Sequence, residues 1–216
     1  MSHDFINQLN QLLFMVAALF SAITIHEYAH ARMALLFGDG TAKLSGRLTL
    51  NPLKHMDWIG ALMLIIFRFG WAKPVPINPR NFRNYRQGMI WVSLAGPLAN
   101  VALAFLVALF LRVALIFPLP GFISFMLIPL GQMLIIYNVY FAIFNLFPFP
   151  PLDGSKILTT LLPPRYVYKY GSYLTFLEQY GFWILLLLAY TGVIWMIMSP
   201  FVSSILYLIR LIIPII

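Results

Sequence analysis

Three stretches of this chain, residues 11–37, 89–117 and 122–147, are apolar over more than the roughly 20 residues a helix needs to cross a bilayer. No other feature narrows the fold as much. Inside lipid a backbone polar group finds no water, so a spanning segment must satisfy its own hydrogen bonds as a helix or within a closed barrel. A fourth span is expected around residues 174–198. Ser199-Pro200 is expected to interrupt it, before a shorter apolar segment at 201–216. Only 9% of the residues are charged and 62% are hydrophobic, against about 25% charged in a soluble domain. The expectation is an all-α polytopic membrane protein with four to six transmembrane helices.

The connections carry the charge. The formal net charge is +8. Arg32 stands in the last turns of the first span and Lys43, Arg47 and Lys54 follow it, Lys73, Arg80, Arg83 and Arg86 precede the second, and Lys156, Arg165 and Lys169 follow the third. Basic loops face the cytoplasm and anionic headgroups, which places the N-terminus and the "PLPG" turn at 118–121 outside. No basic helix with interleaved aromatics points to nucleic acid. That orientation requires residues 58–70 to dip into the membrane and return, and the apolar run at 58–67 is short enough to do so. "TAKLSGRLTLNP", residues 41–52, alternates loosely and ends on Asn-Pro. It reads as a strand or a small membrane-associated β-hairpin, whose edge at 41–50 would pair with an extended substrate. The chain has no cysteine, which removes disulfides and thiolate ligands. The first eleven residues lack the Lys or Arg of a secretory signal, so the first span is expected to stay in the protein.

Within the first span stands "HEYAH", residues 26–30. His26 and His30 are four apart and share one helical face, so both can ligate one metal ion. Glu27 points elsewhere but stays near. Two imidazoles with an adjacent carboxylate are the parts of a zinc hydrolase, the glutamate taking a proton from water. The same residues could instead line a helix–helix seam. At mid-bilayer, however, a charged group costs at least about 2.5–3.5 kcal/mol, which favours a functional reason for keeping them. About nine residues separate the motif from Phe37, or roughly 13 Å of helix, so the metal would lie within the membrane slab.

A catalytic zinc takes three protein ligands plus water. Without thiols the third must be His, Asp or Glu. Asp153 in "NLFPFPPLDGSK" follows Pro148, Pro150 and Pro151, which break the third span, and irregular backbone at that depth must line a cavity. It could also serve only as a helix N-cap. His55 and Asp57 in "NPLKHMDW" and Glu178 beside a later span are rivals. Asn145 is a buried amide able to donate to a developing oxyanion, or simply to bond free carbonyls at the helix end. In "GPLAN", residues 96–100, Gly96 allows close helix approach and Asn100 could bond a neighbour, with packing the simpler role. His3, near the N-terminus, is not expected to take part.

Together "HEYAH", "GPLAN" and "NLFPFPPLDG" resemble the site-2 protease family of intramembrane zinc metalloproteases. "LNPLKHMDWIG" and "AKPVPINPRNFRN" resemble its compact branch without a PDZ domain. The resemblance covers roughly residues 20–160. It implies His26, His30 and Asp153 as ligands of one Zn²⁺ per chain, Glu27 as general base, and Asn145 near the scissile carbonyl. It also implies a transmembrane protein substrate, cleaved within or near its membrane segment, and a site opening to the cytoplasm of a prokaryotic cell. The whole chain, 1–216, reads as one integral-membrane peptidase domain, with a catalytic core at about 11–160 and C-terminal helices at 161–216. A membrane metal-ion transporter or metal sensor would share the buried polar residues but has no need of Glu27 as a base.

Overall fold

The computed structural model describes residues 3–67 and 71–213. Along them run α1 (His3–Leu36), α2 (Thr41–Leu44), α3 (Trp58–Phe67), α4 (Tyr85–Ala114), α5 (Gly121–Leu146), α6 (Asp153–Leu161), α7 (Pro164–Lys169), α8 (Gly171–Tyr190) and α9 (Val193–Ile212). Five of these, α1, α4, α5, α8 and α9, are long and apolar enough to cross a bilayer. The protein is an integral, multi-pass membrane protein.

The hairpin expected at 41–52 does not form, and the described residues contain no strand. The Asp39 carboxylate accepts from both the backbone N–H and the hydroxyl of Thr41, which starts a turn. One helical turn follows as α2. Gly46, at φ 68°, closes it, with the Arg47 N–H on the Ala42 carbonyl at 2.8 Å and the Gly46 N–H on Lys43 at 3.1 Å. That is the paired hydrogen-bond pattern that ends a helix on a left-handed glycine. With no strand there is no edge at 41–50 for a substrate to join. The sole β pairing recorded among the described residues is an isolated antiparallel bridge between Met56 and Ala72. With the Lys73 N–H on the His55 carbonyl at 3.0 Å, it joins the two flanks of α3. Residues 68–70 of the segment expected to dip lie outside the described residues.

The expected break at Ser199-Pro200 also moves. The turn between α8 and α9 is made at Gly192, at φ 80°, and Pro200 lies inside α9. Proline cannot donate to the carbonyl four residues back, Met196. The Ser199 hydroxyl donates to that carbonyl instead, at 3.2 Å, and the helix continues.

Helices α1, α4 and α5 pack on one another and form the centre. Small residues line their seams, among them Ala18 and Ala22 of α1, Ala104 and Ala108 of α4, and Ala142 of α5, all fully buried. Lipid tails are as apolar as leucine, so close backbone approach, rather than hydrophobic exclusion, holds such helices together. Val202 and Ile209 of α9 complete this core against Leu111, Ile135 and Val139. Leu185 of α8 meets Ile194 and Met198 of α9 over Leu152. That second cluster buttresses the short link from α5 to α6, and so the position of Asp153.

Candidate metal centre

Helix α1 carries His26, Glu27 and His30 into the bundle, where all three are buried. Its C-terminus is fixed by the same device as that of α2. Gly38 has φ 106°, the Asp39 N–H reaches the Ala34 carbonyl at 2.9 Å, and the Gly38 N–H reaches Leu35 at 3.1 Å. The proline-broken link after α5 then delivers Asp153 as the first residue of α6. Leu152, not Asp153, occupies the N-cap position, and no side chain caps the helix. The Asp153 carboxylate is therefore free to turn inward. Its Oδ2 lies 3.1 Å from His26 Nε2 and 2.9 Å from His30 Nε2, and the two Nε2 atoms are 2.9 Å apart.

These three side chains form a group able to hold a metal ion. Zinc with N and O ligands at about 2.0–2.2 Å in tetrahedral array separates its ligand atoms by roughly 3.3 Å. The observed triangle is close to that size. Its chemistry fits as well: two imidazole nitrogens and a carboxylate oxygen aimed at one point repel one another unless a cation or a proton lies among them. His30 Nδ1 is 2.7 Å from the Val92 carbonyl. A carbonyl only accepts, so Nδ1 carries a proton, and in the neutral ring Nε2 presents its lone pair toward the centre. Asp153 Oδ1 is taken by Lys156 Nζ at 3.0 Å, which leaves Oδ2 as the single inward donor.

Glu27 sits beside the triangle but outside it. Its Oε2 accepts the backbone N–H of Val75 at 2.7 Å. Val75 belongs to an extended strap between α3 and α4. Its side chain packs between Ala31 and Ala42, and its N–H faces the glutamate. Prolines flank it on both sides, so positions 74 and 76 have no N–H to offer. Arg47 Nη2 donates to the carbonyls of Lys73 and Pro74, at 2.6 and 3.3 Å. At the other end the buried Asp39 carboxylate accepts the Asn78 N–H at 2.7 Å and the Asn81 amide at 2.8 Å. Burial alone would push the Asp39 pKa up. The hydrogen bonds from Thr41, Asn78 and Asn81 outweigh it and hold the group below the ordinary carboxylate range, so the anchor stays charged. Neither Val75 nor Asp39 is visible as a site residue in the sequence, since the first acts through its backbone and the second resembles a turn aspartate.

"GPLAN" lies against the imidazoles. A Cβ built on Gly96 would stand 2.5 Å from His30 Nε2 and 2.6 and 2.7 Å from Cε1 and Nδ1 of His26. The glycine makes room for the two rings rather than for a neighbouring backbone. Gly96→Ala is expected to displace both imidazoles and weaken zinc binding at least tenfold, with a misplacement of about 1 Å costing on the order of 10²-fold in rate. Metal content of the purified variant, at unchanged helical circular dichroism, checks this. Asn100, one turn further on, is fully buried with Oδ1 2.7 Å from His26 Nδ1. The sequence favours packing for Asn100 beside a possible bond to a neighbour, and in the structure that neighbour is a candidate ligand.

The rivals stand elsewhere. His55 is buried with Nε2 2.8 Å from the Thr49 carbonyl, Asp57 accepts the N–H groups of Ile59 and Gly60 at the start of α3, and Glu178 is exposed. Asn145 is on the last turn of α5, where its amide donates to the Phe141 carbonyl at 2.9 Å. The ring of Phe141 packs edge-on against His26, with centroids 4.9 Å apart. The side chain of His3 lies outside the described residues.

No family model and no solved structure matches the chain. Curated proteins do. A Bacillus subtilis protein named "Putative zinc metalloprotease YwhC" is 40% identical over 202 residues, 90% of either chain. "Putative zinc metalloprotease Rip2" of Mycolicibacterium smegmatis is 32% identical over 187 residues, covering 82% of this chain and 66% of that one. "Putative zinc metalloprotease MJ0611" of Methanocaldococcus jannaschii is 43% identical over 67 residues, 31% of each. The first similarity is too extensive to be confined to a short motif, and the chain belongs to the zinc metalloprotease family that includes YwhC.

Proposed function

We propose that the protein is an intramembrane zinc endopeptidase of the site-2 type, in the compact form without a PDZ domain, acting in regulated intramembrane proteolysis. Its substrate is a transmembrane segment of another membrane protein. The observation that carries this reading is the meeting of His26, His30 and Asp153 inside a bundle of membrane-length helices, with the Glu27 carboxylate alongside. His26, His30 and Asp153 would hold one zinc ion per chain. The ion supplies Lewis-acid polarisation of the scissile carbonyl and lowers the pKa of water toward 7.

The rest falls to the protein. Glu27 accepts the proton of the attacking water on the oxygen that Val75 does not hold, and passes it to the leaving amine. Val75 keeps the carboxylate in one orientation throughout. Asn145 spends one N–H on Phe141 and keeps a second for the oxyanion that develops at the scissile carbonyl. A helical substrate hides its peptide bonds, so it must unwind locally to be cut. The basic residues around α2, on the strap and on α6 and α7 argue that the ends nearest the site face the cytoplasm of a prokaryotic cell. Water then reaches the site from that side.

The test is direct. The purified protein in proteoliposomes is given fluorescent peptides spanning the transmembrane segments of the host's single-pass proteins. Cleavage inside a segment, abolished by a chelator and restored by zinc, is the expected result. Zinc flux through the vesicles with every peptide intact would instead identify a transporter.

A further inference from the structure

Beyond the ligands themselves, we infer that Asn100 and Asn138 are positioning residues that fix the ring tautomer of His26 and so keep its Nε2 open for a metal. The inference rests on the reading of His26 as a zinc ligand and extends it to two residues with no assigned role.

The two histidines solve one problem differently. An imidazole can ligate through Nε2 only if its proton is on Nδ1. For His30 a backbone carbonyl, Val92, dictates that directly. His26 Nδ1 faces a side-chain amide, which could present either its oxygen or its nitrogen. The surroundings remove the choice. Asn100 Nδ2 lies 2.9 Å from the Ala22 carbonyl and 2.8 Å from Asn138 Oδ1. Asn138 Nδ2 in turn lies 2.8 Å from the Leu134 carbonyl. Both backbone carbonyls are acceptors only, so each must meet an NH₂ group. Asn138 therefore turns its oxygen to Asn100, Asn100 turns its nitrogen to Ala22 and Asn138, and its oxygen is left for His26. His26 Nδ1 must then be the donor, and in the neutral ring Nε2 is the bare nitrogen.

Every hydrogen-bonding choice in this chain is forced from two peptide groups outward, through α5, α4 and α1. Flipping either amide would set acceptor against acceptor at sites where Asn100 and Asn138 are fully buried and no water can compensate. A network this deep in a membrane bundle, with every member paired, is the kind that specifies one arrangement. Outer-sphere partners of this sort commonly change metal affinity 10–100-fold when removed.

The experiment uses the full-length protein in detergent micelles and zinc alone as the probe. Zinc affinity is measured by competition with a fluorescent chelator, and the imidazole protons by ¹⁵N-histidine NMR. The wild type is expected to show two hydrogen-bonded Nδ1–H signals, one from each ligand histidine. Asn100→Leu is expected to lose one of them, keep the other, and bind zinc about 10–100-fold more weakly. Asn138→Leu is expected to weaken zinc by about tenfold, the low end of that range, because Ala22 still orients Asn100. Asn138→Thr should restore wild-type affinity. Its hydroxyl can donate to the Leu134 carbonyl and accept from Asn100, the same polarity in a different side chain. That rescue separates positioning from packing, and it decides the matter even if Asn100→Leu fails to fold.

A proton on His26 Nε2 with a bare Nδ1 would overturn the inference. So would unchanged zinc affinity in Asn138→Leu, or a threonine that fails to rescue a weakened leucine variant. A wild type that binds no zinc sinks the zinc reading instead, and the NMR signals of the metal-free protein still report which nitrogen is protonated.

Discussion

Glu27→Gln is expected to abolish peptide hydrolysis, a loss of about 10²–10⁴-fold, while zinc content stays at the wild-type level. The second half follows from geometry, since Glu27 is not one of the three donors that converge. The first half follows from what holds it. The Val75 N–H meets Oε2 at 2.7 Å, and that donor accepts no substitute but an acceptor. Glutamine must therefore give its carbonyl oxygen to Val75 and leave its NH₂ where the free carboxylate oxygen stood. The group facing the reacting water becomes a donor, and no proton can be taken. The checks are cleavage of a transmembrane peptide in proteoliposomes and zinc by elemental analysis on the same preparation. Activity within tenfold of wild type would exclude Glu27 as the base. A transporter or sensor reading predicts that the change disturbs metal handling and that wild type cleaves nothing.

What was legible in the chain differs from what was not by the range over which the residues act. "HEYAH" is local, and a spacing of four on a helix already puts two imidazoles on one face. The membrane helices are legible because about 20 apolar residues have few other uses. Asp153 stood out because prolines in lipid need a reason. Asn100 meets His26 across 74 positions, and nothing in "GPLAN" distinguishes that contact from seam packing. Val75 is harder still, for its contribution is a backbone N–H, and a valine between prolines advertises only an extended path. The hairpin expected at 41–52 failed for a local reason. Loose alternation over few residues reads as a strand, but Asp39 nucleates a turn at Thr41 and Gly46 closes it after one coil. Pro200 misled in the opposite direction, since the serine before it occupies the carbonyl the proline abandons.

Asp153→Ala is expected to empty the site. Loss of an outer-sphere partner costs about 10–100-fold in metal affinity, and loss of one of three direct donors should exceed the upper end of that range. Two imidazoles four residues apart on α1 would remain, with Nε2 atoms 2.9 Å from each other and no anion to balance a divalent charge. The Lys156 ammonium, now without its partner at 3.0 Å, adds a positive charge beside the vacancy and disfavours the cation further. The fold has reason to survive. Leu152 is the N-cap of α6 and Asp153 makes no capping bond there, while the link itself is held by Leu152 against Leu185, Ile194 and Met198. Helical circular dichroism and a monodisperse elution profile should therefore match the wild type as zinc and activity disappear. Asp153→Asn sharpens the result, because it keeps the shape and an oxygen donor but removes the charge. It should bind zinc more weakly than wild type and better than alanine. Wild-type zinc content in Asp153→Ala would mean that α6 does not contribute a ligand, and that the metal is held from α1 with some other partner.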